Sequence, residues 1–245
     1  MRADFSGRRF LAAFSFLTII PVPAREEEAA NSLAYFPLVG LVLGCLLWLC
    51  AYALGETYYS AITALFLVSI LSIVTGGLPL DGLATTLDGL GKGRAAGEIV
   101  EIMRGGQRGT FGIIGLVLAL LAKYLLISQL LEAGSVYSLL LFPTLGRWSM
   151  VCLAWGFPAL PKEAFASYPT SRDFWWATGI TLLCSILTHG LAGLGIMVLV
   201  WVCVYGLGQY CVKRIGGITA PVMGAGVELV EILSLAILVA LLGGR

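Results

Sequence analysis

An all-α, polytopic membrane fold is predicted by three features of this sequence: few charges, a series of long apolar runs, and cations confined to certain connections. Of the 245 residues, 59% are hydrophobic and 12% are charged, about half the charged share of an average soluble domain. Several runs approach or exceed about 18 apolar residues, enough to cross a hydrocarbon layer about 30 Å thick. Residues 1–245 are read as a single integral-membrane domain.

The elements follow in chain order. MRADFSGRR, followed by FLAAFSFLTIIPVPA, has the basic start and apolar stretch of a signal peptide. Pro21 and Pro23 close that stretch early, and it is short for a span. Residues 10–24 are therefore predicted to form an interfacial or re-entrant helix. About seven spans follow, at 34–54, 57–77, 111–131, 136–157, 174–189, 192–212 and 226–243, each rich in Leu, Val, Ile, Ala and Gly. Three polar stretches separate them, at 81–109, 158–173 and 213–225.

Charge sets the orientation. With the N-terminus in the cytoplasm and 10–24 not crossing, the inner side holds Arg2, Arg8, Arg9, Arg25, Lys92, Arg94, Arg104, Arg108, Lys162, Arg172, Lys213 and Arg214. Those are twelve of the fifteen cations; Lys123 and Arg147 fall within spans, and only Arg245 lies outside. Positive-inside bias of this kind places every sizeable polar loop on the cytoplasmic side.

Some chemistries are disfavoured at once. The six cysteines lie in apolar runs without a C-x-x-C pair, as small buried hydrophobes do. His189 precedes Gly190 between two apolar runs and reads as a loop residue. No basic cluster points to nucleic acid. Neither a P-loop nor a dinucleotide fingerprint is present, GKGRAAG (91–97) included.

Four groups stand out. In GGLPLDGLATTLDGL (76–90), Asp81, Thr85 and Asp88 share one helical face and offer hard oxygen ligands suited to Mg²⁺. A helix end with solvated acids is the plainer reading of the same spacing. In EIMRGGQRGTFG (101–112), Arg104 and Arg108 are candidate phosphate contacts among glycines, with Thr110 at the entry to a span; the plain alternative is a basic loop on lipid headgroups. KRIGGITAPVMGAGVELVE (213–231) carries Lys213, Arg214 and Thr219, then Glu228 and Glu231 at the start of the last span. Glu231 lies within the helix, where an ionisable group is costly. Lys123 and Arg147 are intramembrane cations that need partners, and Arg147 is expected to pair with Glu228 or Glu231. The residues alone describe a membrane enzyme for a phosphate-bearing substrate, with a transporter as the rival reading.

FLTIIPVP (16–23), FPLVGLVLG (36–44) and the three polar motifs occur in an order that resembles the cobalamin synthase family, the adenosylcobinamide-GDP ribazoletransferases, from about residue 10 to about 240. The resemblance implies a multi-pass enzyme of the bacterial inner membrane that requires Mg²⁺ and has its active site in the cytoplasm. It implies that adenosylcobinamide-GDP is joined to α-ribazole or its 5′-phosphate with loss of GMP. The bilayer and possible corrinoid-assembly proteins are its implied partners. Carried over, Asp81 and Asp88 become metal ligands. Glu101, Glu228 and Glu231 join them as catalytic acids, and Arg104, Thr110 and Thr219, also at matching motif positions, as substrate contacts. Arg108, Arg147, Lys213 and Arg214 are expected substrate contacts from their charge and placement alone.

The chain departs from the family pattern in each motif. The first is close to H-x-D-G-L-A-D-x-x-D, and here Pro79 and Thr85 replace its His and middle Asp. The second usually reads M-[KR]-D-S-R-x-G-T, where this chain has Gly105, Gly106 and Gln107. In the third, G-G-x-T-G-D, Ala220 and Pro221 replace Gly and Asp. These departures carry an alternative expectation, a relative that binds corrinoid or pathway partners without turnover.

Overall fold

The computed structural model describes residues 7–22, 32–55, 57–93, 95–105, 109–160 and 169–243. Among them the chain is helical: α1 Gly7–Leu17, α2 Phe36–Gly55, α3 Ser60–Val74, α4 Leu78–Lys92, α5 Ala96–Arg104, α6 Thr110–Glu132, α7 Ser138–Gly156, α8 Ser171–Ile215 and α9 Ala220–Gly243. A 3₁₀ turn, Leu33–Tyr35, runs directly into α2. Five helical stretches are long and apolar enough to cross a membrane: Leu33–Gly55, α6, α7, α8 and α9. The pair α3 and α4 passes the same test as one span bent by 85°. The protein is an all-α multi-pass membrane bundle.

α1 has 11 residues, about 16 Å of helix, too short to cross. It packs beside α2 and exposes Leu11 and Phe16 while burying Ala12, Ala13 and Leu17. The predicted span 57–77 ends earlier, at Val74, because Gly76 and Gly77 take positive φ and turn the chain. α4 then starts at once, its Pro79 sitting in the first turn where a missing N–H costs nothing. The predicted polar stretch 81–109 therefore holds most of α4 and all of α5.

The last span also begins earlier than 226. Thr219 caps it, its hydroxyl accepting from the Val222 N–H at 3.4 Å, and Pro221 occupies the first turn. Glu228 and Glu231 thus lie well inside α9 rather than at its start. α8 opens on a capping box between Thr170 and Asp173. It breaks at Gly190, where φ 57° and ψ −133° suit only glycine. Gly193 lies against the Ser185 carbonyl, whereas a straight helix would separate them by about 12 Å. The chain reverses there, and the arms 171–189 and 191–215 coincide closely with the two spans expected for this region.

α7 forms the centre, packed against α2, α8 and α9. A Cβ on Gly44 would lie 2.7 Å from Leu140 Cα, and one on Gly40 would lie 2.8 Å from Thr144 Cα. Small residues four apart thus let the α2 and α7 backbones touch, the packing that replaces hydrophobic driving force inside lipid. Exposed Tyr52, Tyr59 and Tyr137 ring one end of the bundle, and Trp155, Trp175 and Trp176 the other, as interfacial aromatic belts do. Arg8, Arg9, Lys92, Arg104, Arg172, Lys213 and Arg214 all lie at or beyond the tryptophan end. Arg2, Arg25, Arg94, Arg108, Lys162 and Arg245 lie outside the described residues.

Candidate active site

The three polar motifs, far apart in sequence, meet at the tryptophan end. α4 crosses the start of α9 with glycine against glycine: a Cβ on Gly82 would lie 2.8 Å from Gly224 Cα and 2.7 Å from the Pro221 carbonyl oxygen. α5 is tied to the third motif by Thr219, whose hydroxyl donates to Met103 Sδ at 3.7 Å. The turn 216–219 is braced by a two-residue parallel pairing with the chain after α7, in which Ile218 N donates to Pro158 O at 2.8 Å and Leu160 N to Ile218 O at 3.0 Å.

Between these elements opens a cavity of about 770 Å³. Its walls come from α1 and the 3₁₀ turn (Phe16, Leu17, Ser32, Leu33), α2 (Phe36), the start of α4 (Leu78, Pro79, Asp81, Gly82), α7 (Arg147, Met150) and the start of α9 (Ala220, Pro221, Met223, Gly224, Val227). Among the described residues, Ser32, Asp81 and Arg147 supply its polar side chains. Pro79 and Pro221, two of the positions expected from the sequence to depart from the resembled pattern, are also in its wall. The Phe16 and Phe36 rings stack with centroids 5.7 Å apart. FLTIIPVP and FPLVGLVLG held no assignable role in sequence; here each supplies an aromatic wall residue, and neither carries a polar signal that marks it beforehand.

Asp81 and Asp88 do share α4, as their spacing predicts. They lie about 10 Å apart along its axis and face different surroundings. Asp81 is exposed on the cavity. Asp88 is 1% exposed and sits under the entry to α6. Its carboxylate accepts the Gly109 N–H at 2.5 Å and the Gly112 N–H, and meets Lys92 Nζ at 3.3 Å. Burial acts to raise the Asp88 carboxyl, but the N–H groups of Gly109 and Gly112 and the Lys92 ammonium together hold it below its ordinary value. Gly112 permits this approach, since a Cβ there would lie 2.7 Å from the Ala84 carbonyl oxygen. Thr85 is buried, and its hydroxyl turns back on its own helix, donating to the Asp81 carbonyl at 2.8 Å. Among the described residues no group of three His, Cys, Asp or Glu side chains is placed to hold a metal ion.

Below the cavity lies a buried four-charge network from three helices. Lys123 Nζ is 2.5 Å from Glu231 Oε2 and 2.8 Å from Glu228 Oε2, and Arg147 Nη1 donates to Glu231 Oε1. The expected pairing of Arg147 with a glutamate is therefore present, and Lys123 joins both acids. Arg147 and Glu231 lie at the midpoints of α7 and α9. Gly146 makes room for the network, since a Cβ there would stand 2.9 Å from Glu231 Cγ. Nε of Arg147 has no hydrogen-bond partner among the described residues.

The remaining expected contacts lie elsewhere. Glu101 and Arg104 are exposed on α5, and Thr110 is exposed at the first position of α6. Lys213 is exposed, while Arg214 is partly buried and donates to the Gly93 carbonyl at 3.4 Å. None of these five lines the cavity. Thr219 is buried in its capping role. Arg108 lies outside the described residues.

A family model described as cobalamin-5-phosphate synthase matches residues 9–239. The adenosylcobinamide-GDP ribazoletransferase of Geotalea daltonii is 37% identical over 97% of this chain and 99% of its own length. Proteins of that name from Roseiflexus sp. and Desulfitobacterium hafniense are 34% and 35% identical, over 92% and 94% of this chain and 87% and 96% of their own lengths. No solved structure matches.

Proposed function

Because the chain belongs to the cobalamin-5-phosphate synthase family, we propose that it is a ribazoletransferase, joining adenosylcobinamide-GDP to α-ribazole or its 5′-phosphate with release of GMP. The observation that carries this reading is the shared cavity. It joins Asp81 of the first motif, Pro221 and Gly224 of the third, and the buried Arg147, at the end of the bundle where the basic residues collect.

The reaction is a displacement at phosphorus. A ribazole hydroxyl oxygen forms a bond to the corrinoid-linked phosphorus, the bond from that phosphorus to the GMP oxygen breaks, and the hydroxyl proton is lost. Catalysis of such a step is mainly positioning and charge neutralisation. Asp81, on the cavity, is the carboxylate placed to receive a cation-bound diphosphate. Mg²⁺ ordinarily takes one or two carboxylates together with substrate phosphates, so Asp81, the one acid among the described residues of the wall, fits its minimal ligand set. When bound, the ion would neutralise charge on the transferred phosphoryl and the leaving GMP. Arg104, Lys213 and Arg214, on the same end of the bundle, add positive field for the phosphates. Glu228 and Glu231 hold the cations Lys123 and Arg147 rather than react. Asp88 orders the entry to α6.

The orientation that serves this chemistry has the tryptophan end in the cytoplasm of a bacterial inner membrane, as positive-inside bias favours. The test is reconstitution of the full chain in lipid vesicles with adenosylcobinamide-GDP, α-ribazole 5′-phosphate and Mg²⁺. Corrinoid product and an equal yield of GMP are expected, both abolished by Asp81→Ala. Their absence from the unaltered chain, with its proper fold confirmed, refutes the proposal and favours a binding role without turnover.

A further inference from the structure

The cavity is larger than a nucleoside needs and far smaller than a corrinoid–nucleotide conjugate. At about 770 Å³ it falls within the roughly 300–1,000 Å³ of sites that enclose drug-sized ligands. The corrinoid conjugate cannot enter it whole, and three observations decide which group of the substrates occupies it.

The first is polarity. Among the described residues, Ser32, Asp81 and Arg147 are the cavity's polar side chains, and the rest of the described wall is aliphatic, thioether, aromatic ring or backbone. A guanine or adenine base, with several donors and acceptors, would lose most of its hydrogen bonds there. A propionamide-studded corrin would lose more. The second is charge. The network beneath the cavity contains two cations, Lys123 and Arg147, and two acids, Glu228 and Glu231, and so sums to zero. A phosphate pressed against this buried network would bring an uncompensated charge. The third is an open valence. Arg147 is 1% exposed and lines the cavity, yet its Nε has no partner among the described residues, and Nη1 is held by Glu231. A guanidinium carries five N–H donors and no acceptor. The site thus asks for a neutral, largely apolar ring that brings a single acceptor.

We propose that the deep end of this cavity is the base subsite of the transferase. It encloses the benzimidazole ring of α-ribazole, and Arg147 donates an N–H not held by Glu231 to the ring nitrogen that carries no ribose. The inference rests on the transferase reading above. In this pose the ring lies between the aromatic wall of Phe16 and Phe36 and the aliphatic wall of Met150 and Val227, and the ribose points toward Asp81. The attacking hydroxyl then meets the corrinoid phosphate at the cavity mouth, and the corrin stays outside. Lys123 is a positioning residue: by sharing both acids it leaves Glu231 a single carboxylate oxygen for Arg147 and the rest of the guanidinium for the base.

The experiment compares α-ribazole with an isostere in which the free ring nitrogen is replaced by C–H, using the full chain in lipid vesicles. A site built around one hydrogen bond discriminates strongly against the analogue that lacks it. The unaltered chain is expected to favour α-ribazole by at least 30-fold in kcat/KM. Arg147→Lys keeps a cation for Glu231 but removes the planar fork, and should cut that preference to about 3-fold or less. Val227→Phe, which fills the cavity, should raise KM for α-ribazole at least tenfold and leave KM for adenosylcobinamide-GDP within twofold. A preference that survives Arg147→Lys, or a Val227→Phe effect falling on the corrinoid KM, overturns the assignment. Should the unaltered chain form no product, the transferase reading fails. Equilibrium dialysis of the two nucleosides against the same vesicles then decides the subsite: a preference for the ring nitrogen lost in Arg147→Lys sustains it, and equal binding overturns it.

Discussion

Asp88 offers the sharpest test of how the motifs are held together. Its carboxylate accepts two N–H groups at the entry to α6, from Gly109 at 2.5 Å and from Gly112, and pairs with Lys92 at 3.3 Å. Asp88→Ala removes every acceptor and leaves two donors of a helix start without a partner, in a place where Gly112 is buried. Hydrogen bonds to a charged group contribute about 1.5–3 kcal/mol each, and an orphaned buried donor costs about 1–3 kcal/mol. The Lys92 side chain is 43% exposed, so its pair contributes about 1 kcal/mol or less. A loss of about 3 kcal/mol is therefore expected for Asp88→Ala. Asp88→Asn keeps one carbonyl oxygen as acceptor and should lose about 1–1.5 kcal/mol, in line with the difference between charged and neutral acceptors. The measurements are thermal unfolding in detergent, followed by tryptophan fluorescence, and hydrogen exchange at the amides of residues 109–112. A local loss of about 3 kcal/mol corresponds to exchange faster by about two orders of magnitude, with α2 and α7 unaffected. The sign with pH follows from the lowered carboxyl. The contribution is complete above the ordinary Asp value and declines as pH falls through the lower folded value. Unchanged exchange in Asp88→Ala would refute the reasoning. So would a stability loss that appears only when Mg²⁺ is supplied, because that would mark Asp88 as a metal ligand instead.

Two further substitutions test the packing beneath the cavity. Lys123→Met leaves Glu228 and Glu231 sharing Arg147 in a dry interior, and breaking a buried pair in this way costs about 3–5 kcal/mol. Adding Glu228→Gln should recover a substantial part of that loss in the same thermal assay, and additive losses would show that the network is not coupled. Gly82→Leu forces a side chain into the 2.7–2.8 Å gap against Pro221 and Gly224, and should part α4 from α9. Cysteine pairs placed across that crossing are expected to cross-link in the parent and to lose reactivity in the variant.

Much of the fold was legible without coordinates because membrane helices are specified locally. Backbone groups inside lipid must pair within their own helix, so runs of hydropathy mark the long helices, and the glycine at 190 marks the reversal between two arms of α8. The helix that carries Asp81 and Asp88 was legible from a different signal, the spacing of Asp81, Thr85 and Asp88 on one helical face within a stretch whose hydropathy reads as polar. Arg147 was legible as a partner of Glu228 or Glu231 because a buried charge demands one. Boundaries moved where a turn competed with hydropathy, at Gly76–Gly77 and at the Thr219–Pro221 cap, signals weaker than the apolar runs around them.

Which way each of those side chains faces was decided only in three dimensions. Asp81 and Asp88 have the same chemistry and share a helix, yet one lies on the cavity and the other is consumed by the entry to α6, because a separate helix begins above Asp88. Lys123 meets two glutamates more than a hundred residues away, a distance no local pattern spans. Phe16 and Phe36 look like any other apolar residues until α1 and α2 fold over the cavity. The sequence by itself determined a helical membrane protein with three polar motifs and a few intramembrane charges in need of partners. Tertiary packing decided which acid lines the cavity, which one braces a helix, and that Arg147 retains an Nε–H without a partner among the described residues. A helix sets which residues share a face, but only its neighbours determine what that face meets.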